Sequence, residues 1–314
     1  MMDHPRVSII VPCKSIDGYT LECVEHCKEL DYENYEIIVL PDESEERIKN
    51  VRIIPTGTVS PGKKRNVGIA NSKADFCAFI DSDAYPRKDW LKNAIGYFHN
   101  QDIAAVGGPG ITPDNASDME KASGYILSSF LVAGRLSSRY SISHVIDSDD
   151  IHSCNFIVKK SIIQEVGGWN EEYWPGEDTL MCLSIKKTNK KMIEAPDVVV
   201  YHHRRPLFGP HLKQVSNFGL HRGFFAKKFP QTSLRLVYFF PSTLLLIFLL
   251  SVLSCLYAQL RFFSYLLAIY VFLAFLAAVM SRDIRVIPQI WLGIILTHVA
   301  YGTFFLIGLT KREL

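Results

Sequence analysis

The chain has 314 residues, enough for one complete domain and a further segment, with 34 Lys and Arg against 32 Asp and Glu for a formal net charge of +2. So even a balance builds no basic stripe, and nucleic acid is set aside as a partner. Seven cysteines, an odd number scattered along the chain, make no disulfide framework and fit a reducing cytosolic domain. The hydrophobic share of 48% is ordinary as an average, yet charged residues are frequent up to about Arg235 and rare beyond it.

The opening MMDHPRVSIIVPC is too short and too polar before its first strand to be a signal peptide. Residues 7–11 read as a buried strand stopped by Pro12, and a helix follows over about residues 20–30. Cys23, His26 and Cys27 share a face of that helix at metal-like spacing, but no second ligand pair matches them, so packing is the preferred reading. Residues 36–40 form a second strand closed by the acidic Pro41-Asp42-Glu43-Ser44, and residues 51–54 a short third. Residues 62–70 open a helix with Lys63, Lys64 and Arg65 at its start. The free N–H groups of a helix N-terminus attract anions, and these cations add to that.

Residues 76–80 are an apolar run long enough for a buried strand and too short for a helix, ending in Asp81-Ser82-Asp83; Pro86 bars the strand from continuing. On an extended backbone, carboxylates at i and i+2 point to one side. At the carboxyl edge of a sheet such a pair can hold a divalent cation, Mn2+ or Mg2+, that bridges a nucleotide diphosphate and neutralises its charge as it leaves. Asp and Ser also favour solvated turns, so these three residues alone leave both readings open. Alternating strands and helices imply an α/β fold with a parallel, doubly wound (Rossmann-like) sheet and ligands outside the strands' carboxyl ends. Pro12, Asp42 and Asp81 all sit at such ends, which favours a nucleotide site. The Gly-x-Gly-x-x-Gly turn of dinucleotide oxidoreductases is missing after the first strand.

The segments VSIIVPC, PDES, GKKRNVGIANSKADFCAFIDSDAYP and GGWNEEYWPGED occur in this order over about residues 6–230. Together they resemble the family 2 inverting glycosyltransferases, whose nucleotide-sugar-binding fold is GT-A. The resemblance implies a base and ribose near Pro12 and Asp42, nucleotide contacts at Lys64 and Arg65, and a metal-and-diphosphate motif at Asp81, Ser82 and Asp83. It departs at the second strand, which in the family often ends in two adjacent acids where this chain has Pro41-Asp42-Glu43.

Glycines at 107, 108 and 110 let the backbone approach a ligand closely. Residues 119–135 read as a helix on the acceptor side, and the serine-rich 135–150 as a loop, either an acceptor-binding loop or a solvated one. Residues 153–158 form a strand that lines the donor sugar pocket in the resembling family. The Gly167-Gly168 turn brings Trp169 toward the site; sugar stacking is one use for Trp169 or Trp174, and core packing is the commoner one. Glu177 and Asp178 open a helix to about residue 187. Acids at a helix start are ordinary capping chemistry, but Gly176-Glu177-Asp178 after an aromatic loop matches the family's catalytic acid position. That makes Asp178 the base for the acceptor hydroxyl and Glu177 the group that orients acceptor or sugar. Residues 198–201 are a late strand leading into His202-His203-Arg204-Arg205, where His202 completes the cation's shell, or the basic run holds phosphate or faces a membrane.

Aromatic and cationic residues alternate over about 208–229, as in an interfacial helix. Gln214 is followed by Val215-Ser216-Asn217-Phe218, so the Gln-x-x-Arg-Trp motif of processive, cellulose-synthase-like members is absent, which argues against a polymerase. Residues 237–258, 262–280 and 290–309 are apolar stretches each close to the roughly 20 residues that cross a bilayer. Lys227, Lys228 and Arg235 before the first, with Arg282 and Arg285 in the second loop, orient the catalytic domain to the cytoplasm by the positive-inside rule. Residues 297–302 (THVAYG) resemble the C-terminal segment of succinoglycan-type exopolysaccharide glucosyltransferases, and His298 within that apolar stretch calls for a polar partner, Tyr301 or a lipid phosphate.

The expected organisation is a GT-A catalytic domain over 1–235 and a transmembrane region over 236–314, multi-pass in the cell membrane. The expected reaction moves one sugar from a UDP- or GDP-linked donor to a lipid-linked saccharide or polysaccharide precursor. A polyprenyl-phosphate sugar synthase and a non-catalytic membrane scaffold are the alternatives, and intact acids at 81, 83, 177 and 178 argue against the scaffold.

Overall fold

A computed structural model describes residues 4–141 and 144–314. Residues 1–3 and 142–143, which fall in the leading segment and in the serine-rich stretch, lie outside the described residues. The chain divides into two compact units, residues 1–113 with 138–203, and residues 114–137 with 204–314.

The first unit opens with β1 (Val7–Pro12), α1 (Gly18–Lys28), β2 (Tyr35–Leu40), β3 (Val51–Ile53), α2 (Pro61–Asn71), β4 (Phe76–Phe79), β5 (Ala84–Pro86), α3 (Trp90–Tyr97), β6 (Ile103–Gly107) and β7 (Gly110–Ile111). The chain then supplies α4 (Asp118–Ser128) and α5 (Phe130–Ala133) to the second unit. It returns with β8 (Ile146–Asp147), β9 (Phe156–Lys159), α6 (Lys160–Val166), α7 (Glu177–Lys186), β10 (Lys191–Glu194) and β11 (Val200–His202). Eight strands make one sheet in the order β3-β2-β1-β4-β9-β6-β10-β8, and β5-β11-β7 make a small second one. The large sheet is mixed, a correction to the parallel sheet expected: β9 runs antiparallel to both β4 and β6, and β8 antiparallel to β10. Apolar runs carry no sign of direction, and β9 follows a 3₁₀ turn at Ser153–Asn155 rather than a crossover helix.

Strands β1 and β4 are buried along their whole length, as sheets covered on both faces require. Ile9, Val11, Ala78 and Trp90 fill one side, and Ile10, Ile38, Leu40 and Phe79 the other. Helices start where the sequence caps them: the Asp17 carboxylate accepts from Thr20 N–H at 2.9 Å ahead of α1, and Ser60 with Pro61 opens α2.

Two local expectations fail for identifiable reasons. Asp81 to Asp83 are not extended; the Asp81 carbonyl accepts from Ala84 N–H at 3.0 Å, closing a turn. Beyond it Pro86 does not end pairing but sits in β5, an edge strand opposite Val200, where a missing N–H is tolerated. The helix expected over 119–135 breaks at Ser129, which is extended (φ −68°, ψ 128°), and after α5 the chain turns through Gly134 at φ +55°.

The second unit continues with α8 (Gly209–Lys228), α9 (Pro230–Ser233), α10 (Leu236–Leu253), α11 (Arg261–Val279) and α12 (Ile287–Thr310). The last three, counting the short turn before α11, are long and apolar enough to cross a membrane. Helices α8 and α12 approach so closely that a Cβ at Gly219 would stand 2.5 Å from the Tyr301 carbonyl. His298 has a partner that the sequence did not suggest: Tyr270 Oη is 2.7 Å from its Nδ1.

Candidate active site

Arg65, one turn into α2 and almost fully buried, is the centre of the site. Its Nη1 donates to Glu177 Oε1 at 2.8 Å, and its Nη2 to Asp81 Oδ1 at 2.9 Å and Ser153 Oγ at 2.8 Å. The guanidinium lies 4.8 Å from the Trp169 ring centroid. Burial works against its charge, but Asp81 and then Glu177 outweigh that and hold its pKa above the ordinary value. One cation thus ties the turn after β4 to the start of α7.

Lys64, its neighbour, turns the other way. Its Nζ donates to Asp42 Oδ1 at 2.6 Å, Thr56 Oγ1 at 3.0 Å and the Leu40 carbonyl at 3.2 Å. The Lys64 hydrogen bond depresses the Asp42 pKa, so the carboxylate at the end of β2 stays ionised. Pro12 ends the adjacent β1 in register with Leu40.

The acids of Asp81-Ser82-Asp83 part company. Asp81 is drawn to Arg65, whereas Asp83 Oδ1 lies 3.2 Å from His202 Nε2. His203 N–H donates to the Asp83 carbonyl, and its side chain meets Glu22 at 2.7 Å. Asp83 with His202 is an oxygen-and-imidazole pair that fits a divalent cation completed by diphosphate oxygens and water. Among the described residues, no three His, Cys, Asp or Glu side chains gather as a metal set.

Glu177 is buried, and its Oε2 accepts from Gly176 N–H at 3.1 Å while Oε1 takes Arg65. Asp178, half-buried on the first turn of α7, accepts from Thr179 N–H at 2.7 Å. Trp169 corrects an expectation: only 2% exposed, it packs edge-on against Phe79 and Phe156 and supports Arg65 from below, so no sugar can stack on it. Trp174 is 65% exposed.

The sequence reading missed a second buried cation. Arg139 pairs with Asp150 at 3.1 Å and Glu194 at 3.6 Å. Burial opposes its charge, but Asp150, Glu194 and Asp178 hold its pKa high. Asp150 also accepts from Thr179 Oγ1 at 3.0 Å, which bonds it to the helix carrying Asp178. Asp150 closes an acidic run that reads as a loop, either acceptor-binding or solvated, and its burial reveals the pairing. The helix-face trio also resolves: Cys23 and Cys27 are buried in the core, and His26 stacks on Tyr85.

The family model of glycosyl transferase family 2 matches residues 8–167, and the chain belongs to that family. A pre-mycofactocin glycosyltransferase of Mycobacterium tuberculosis is 30% identical over 149 residues, 46% of this chain; those residues span only 30% of that protein. A dolichyl N-acetyl-α-D-glucosaminyl phosphate 3-β-D-2,3-diacetamido-2,3-dideoxy-β-D-glucuronosyltransferase of Methanococcus voltae is 24% identical over 285 residues, 84% of this chain and 85% of the relative. In fold, the chain is similar to a mannosyltransferase of Pyrobaculum calidifontis solved with GDP-Man and Mn2+, at a TM-score of 0.60, 16% identity, and coverage of 99% and 88%. The α/β domain is thus GT-A-like.

Proposed function

We propose that this protein is a membrane-bound inverting glycosyltransferase that moves one sugar from a UDP- or GDP-linked donor to a lipid-linked saccharide, such as an exopolysaccharide precursor. The observation that carries the reading is Arg65, a buried cation joining the donor-side carboxylate Asp81 to Glu177, next to Asp178. The name of the Methanococcus relative, with its dolichyl phosphate-linked acceptor, supports a lipid-linked substrate. The apolar helices, with Lys227, Lys228 and Arg235 ahead of α10, support a membrane enzyme with its catalytic unit in the cytoplasm.

In this reading Pro12, Asp42 and Lys64 border the nucleoside, and Asp81 and Ser82 face ribose and diphosphate. Asp83 and His202 would hold Mn2+ or Mg2+, which when bound offsets the charge on the departing diphosphate. Arg65 keeps Asp81 and Glu177 fixed, so Glu177 orients substrate rather than moving protons. Asp178 takes the proton from the acceptor hydroxyl as that oxygen attacks the sugar from the face opposite the diphosphate.

The test is a panel of nucleotide sugars with Mn2+ or Mg2+, offered with polyprenyl-diphosphate saccharides and with bare polyprenyl phosphate. A single addition to the saccharide with inverted anomeric configuration is the expected result. Transfer only to bare phosphate would make the protein a polyprenyl-phosphate sugar synthase instead, and turnover with no donor would leave the scaffold reading.

A further inference from the structure

The three apolar helices are not equivalent. In α10 the buried residues are Tyr238, Pro241, Ser242 and Leu244, all in its first half; in α11 they are Tyr270, Ala274 and Ala278, all in its second half. These two form a hairpin whose far halves expose Leu246, Phe248, Leu249, Phe262, Tyr265 and Ile269. Near its turn the Ser254 and Ser251 hydroxyls pair with Ser264, a neutral contact. Such a surface suits hydrocarbon.

Helix α12 differs along its whole length. Ile290, Gly293, Ile294, Thr297, His298, Gly302, Phe305 and Gly308 are buried at helical spacing, 39% of its apolar window against 22% and 17% in the other two. Its second half runs parallel to α8: His211 Nε2 meets Thr297 Oγ1 at 2.9 Å, Gly219 lies on Tyr301, Gly223 on Phe305 and Leu309, and Lys227 Nζ donates to the Lys311 carbonyl. Its first half packs on α4 through Ile290, Ile294 and Gly293 against Ala122, Ile126 and Leu207. The hairpin meets α12 through its base: Ser242 on the Gly302 carbonyl, Tyr270 on His298, Trp291 on the Val271 carbonyl, Phe239 on Phe305, and Ala274 and Ala278 in one cluster with Ile290 and Ile294.

The covering helices decide the matter. From Thr297 to Lys311 is about 21 Å of helix, most of a hydrocarbon core. Over that length α8 carries Lys213, Asn217 and Arg222, and α4 carries Asp118, Glu120 and Lys121 beside the first half. Were α12 to span, these charged helices would be carried into the bilayer with it, where ionised side chains are costly. A helix that is apolar on all sides needs no span if protein covers one face and acyl chains the other, and Leu292, Val299 and Leu306 form such an uncovered face at seven-residue spacing.

We propose that α10 and α11 cross the membrane as a hairpin, whereas α12 lies along the base of that hairpin at headgroup level. The chain therefore crosses twice, and Arg312 stays on the same side as the first unit. The inference rests on the membrane reading above, and its test separates the two.

Cys255, in the hairpin turn, is exposed and the other six cysteines are buried, so the full-length protein carries its own reporter. Sealed spheroplasts and inside-out vesicles are treated with a membrane-impermeant maleimide, using the native chain and two single-reporter variants in a Cys255→Ser background, Lys49→Cys in the first unit and Arg312→Cys after α12. The expected result is Cys255 labelled from one face, and Lys49→Cys and Arg312→Cys both labelled from the other. Labelling of Arg312→Cys from the Cys255 face would show three crossings and overturn the inference. Labelling of Cys255 and Lys49→Cys from the same face would remove the crossing hairpin. Release of the native chain by alkaline carbonate would instead defeat the membrane reading itself.

Discussion

The two units solve the problem of buried polarity in opposite ways. In the first, buried cations are each surrounded by acids: Arg65 by Asp81 and Glu177, Lys64 by Asp42, Arg139 by Asp150 and Glu194. In the second Arg204 is buried too, but the helices meet through neutral buried contacts: His211 between Ser123 and Thr297, Ser242 on the Gly302 carbonyl, and glycines that let backbones touch. The sequence follows the same division, with 20 Lys and Arg against 27 Asp and Glu in the first unit and 14 against 5 in the second. A buried ion pair costs desolvation and adds little net stability, so three such clusters in one unit suit chemistry rather than folding. Neutral hydrogen bonds and glycine contacts let these apolar helices pack closely without burying further charge.

The comparison breaks most easily at Arg65. Arg65→Met leaves buried Glu177 and part-exposed Asp81 without their cation, and breaking a buried pair such as Arg65 with Glu177 costs about 3–5 kcal/mol. Thermal unfolding of the first unit should move accordingly, and transfer should be lost. A variant as stable as the native protein would mean that the carboxylates find other partners and that the charge cluster is not a unit.

A smaller effect is expected in the second unit from Gly223→Val, because a Cβ there meets the Phe305 backbone. Overpacking of this kind costs about 1–3 kcal/mol. Donor binding by the first unit should not change, which titration calorimetry would check. Weakened donor affinity would show that the two kinds of burial are not separable.

The smallest effect is a pH dependence. Burial depresses the pKa of His211 from 6.5 to about 4. The folded state then holds His211 neutral while the unfolded chain takes up a proton below pH 6.5, so stability falls on acidification through the window from 6.5 towards 4. Between pH 6.5 and 5 the loss is about 2 kcal/mol, read from melting of the detergent-solubilised protein. His211→Gln should flatten that slope, and an unchanged slope would assign it to other groups.

Much of the fold was legible because strands 7–11, 36–40 and 76–80 are apolar runs closed by proline or acids. Strand direction was not, since β9 has the same apolar signature antiparallel as it would have parallel. At the site, Asp42, Lys64, Arg65, Asp81 and Glu177 were found at strand ends and helix starts, where the structure brings them together in two linked clusters. Trp169 misled because an aromatic after two glycines looks the same whether it faces sugar or core; Phe79 and Phe156 decide it. Arg139 was missed because its partners Asp150 and Glu194 lie far apart in sequence and meet only across β10. Domain limits placed at a drop in charge could not reveal that residues 114–137 pack with the apolar helices, since α4 is itself charged.

The central claim is that donor binding and proton removal are assigned to different carboxylates, and Asp178→Asn tests it most directly. Asn keeps the helix start capped, so folding should hold. Donor affinity with Mn2+ by calorimetry and single-turnover transfer, measured on the same preparation, should diverge: affinity nearly unchanged, and the transfer rate down by about a hundredfold or more, the scale of a positioned general base. Weakened donor binding with the rate nearly intact would contradict the account and place the base elsewhere.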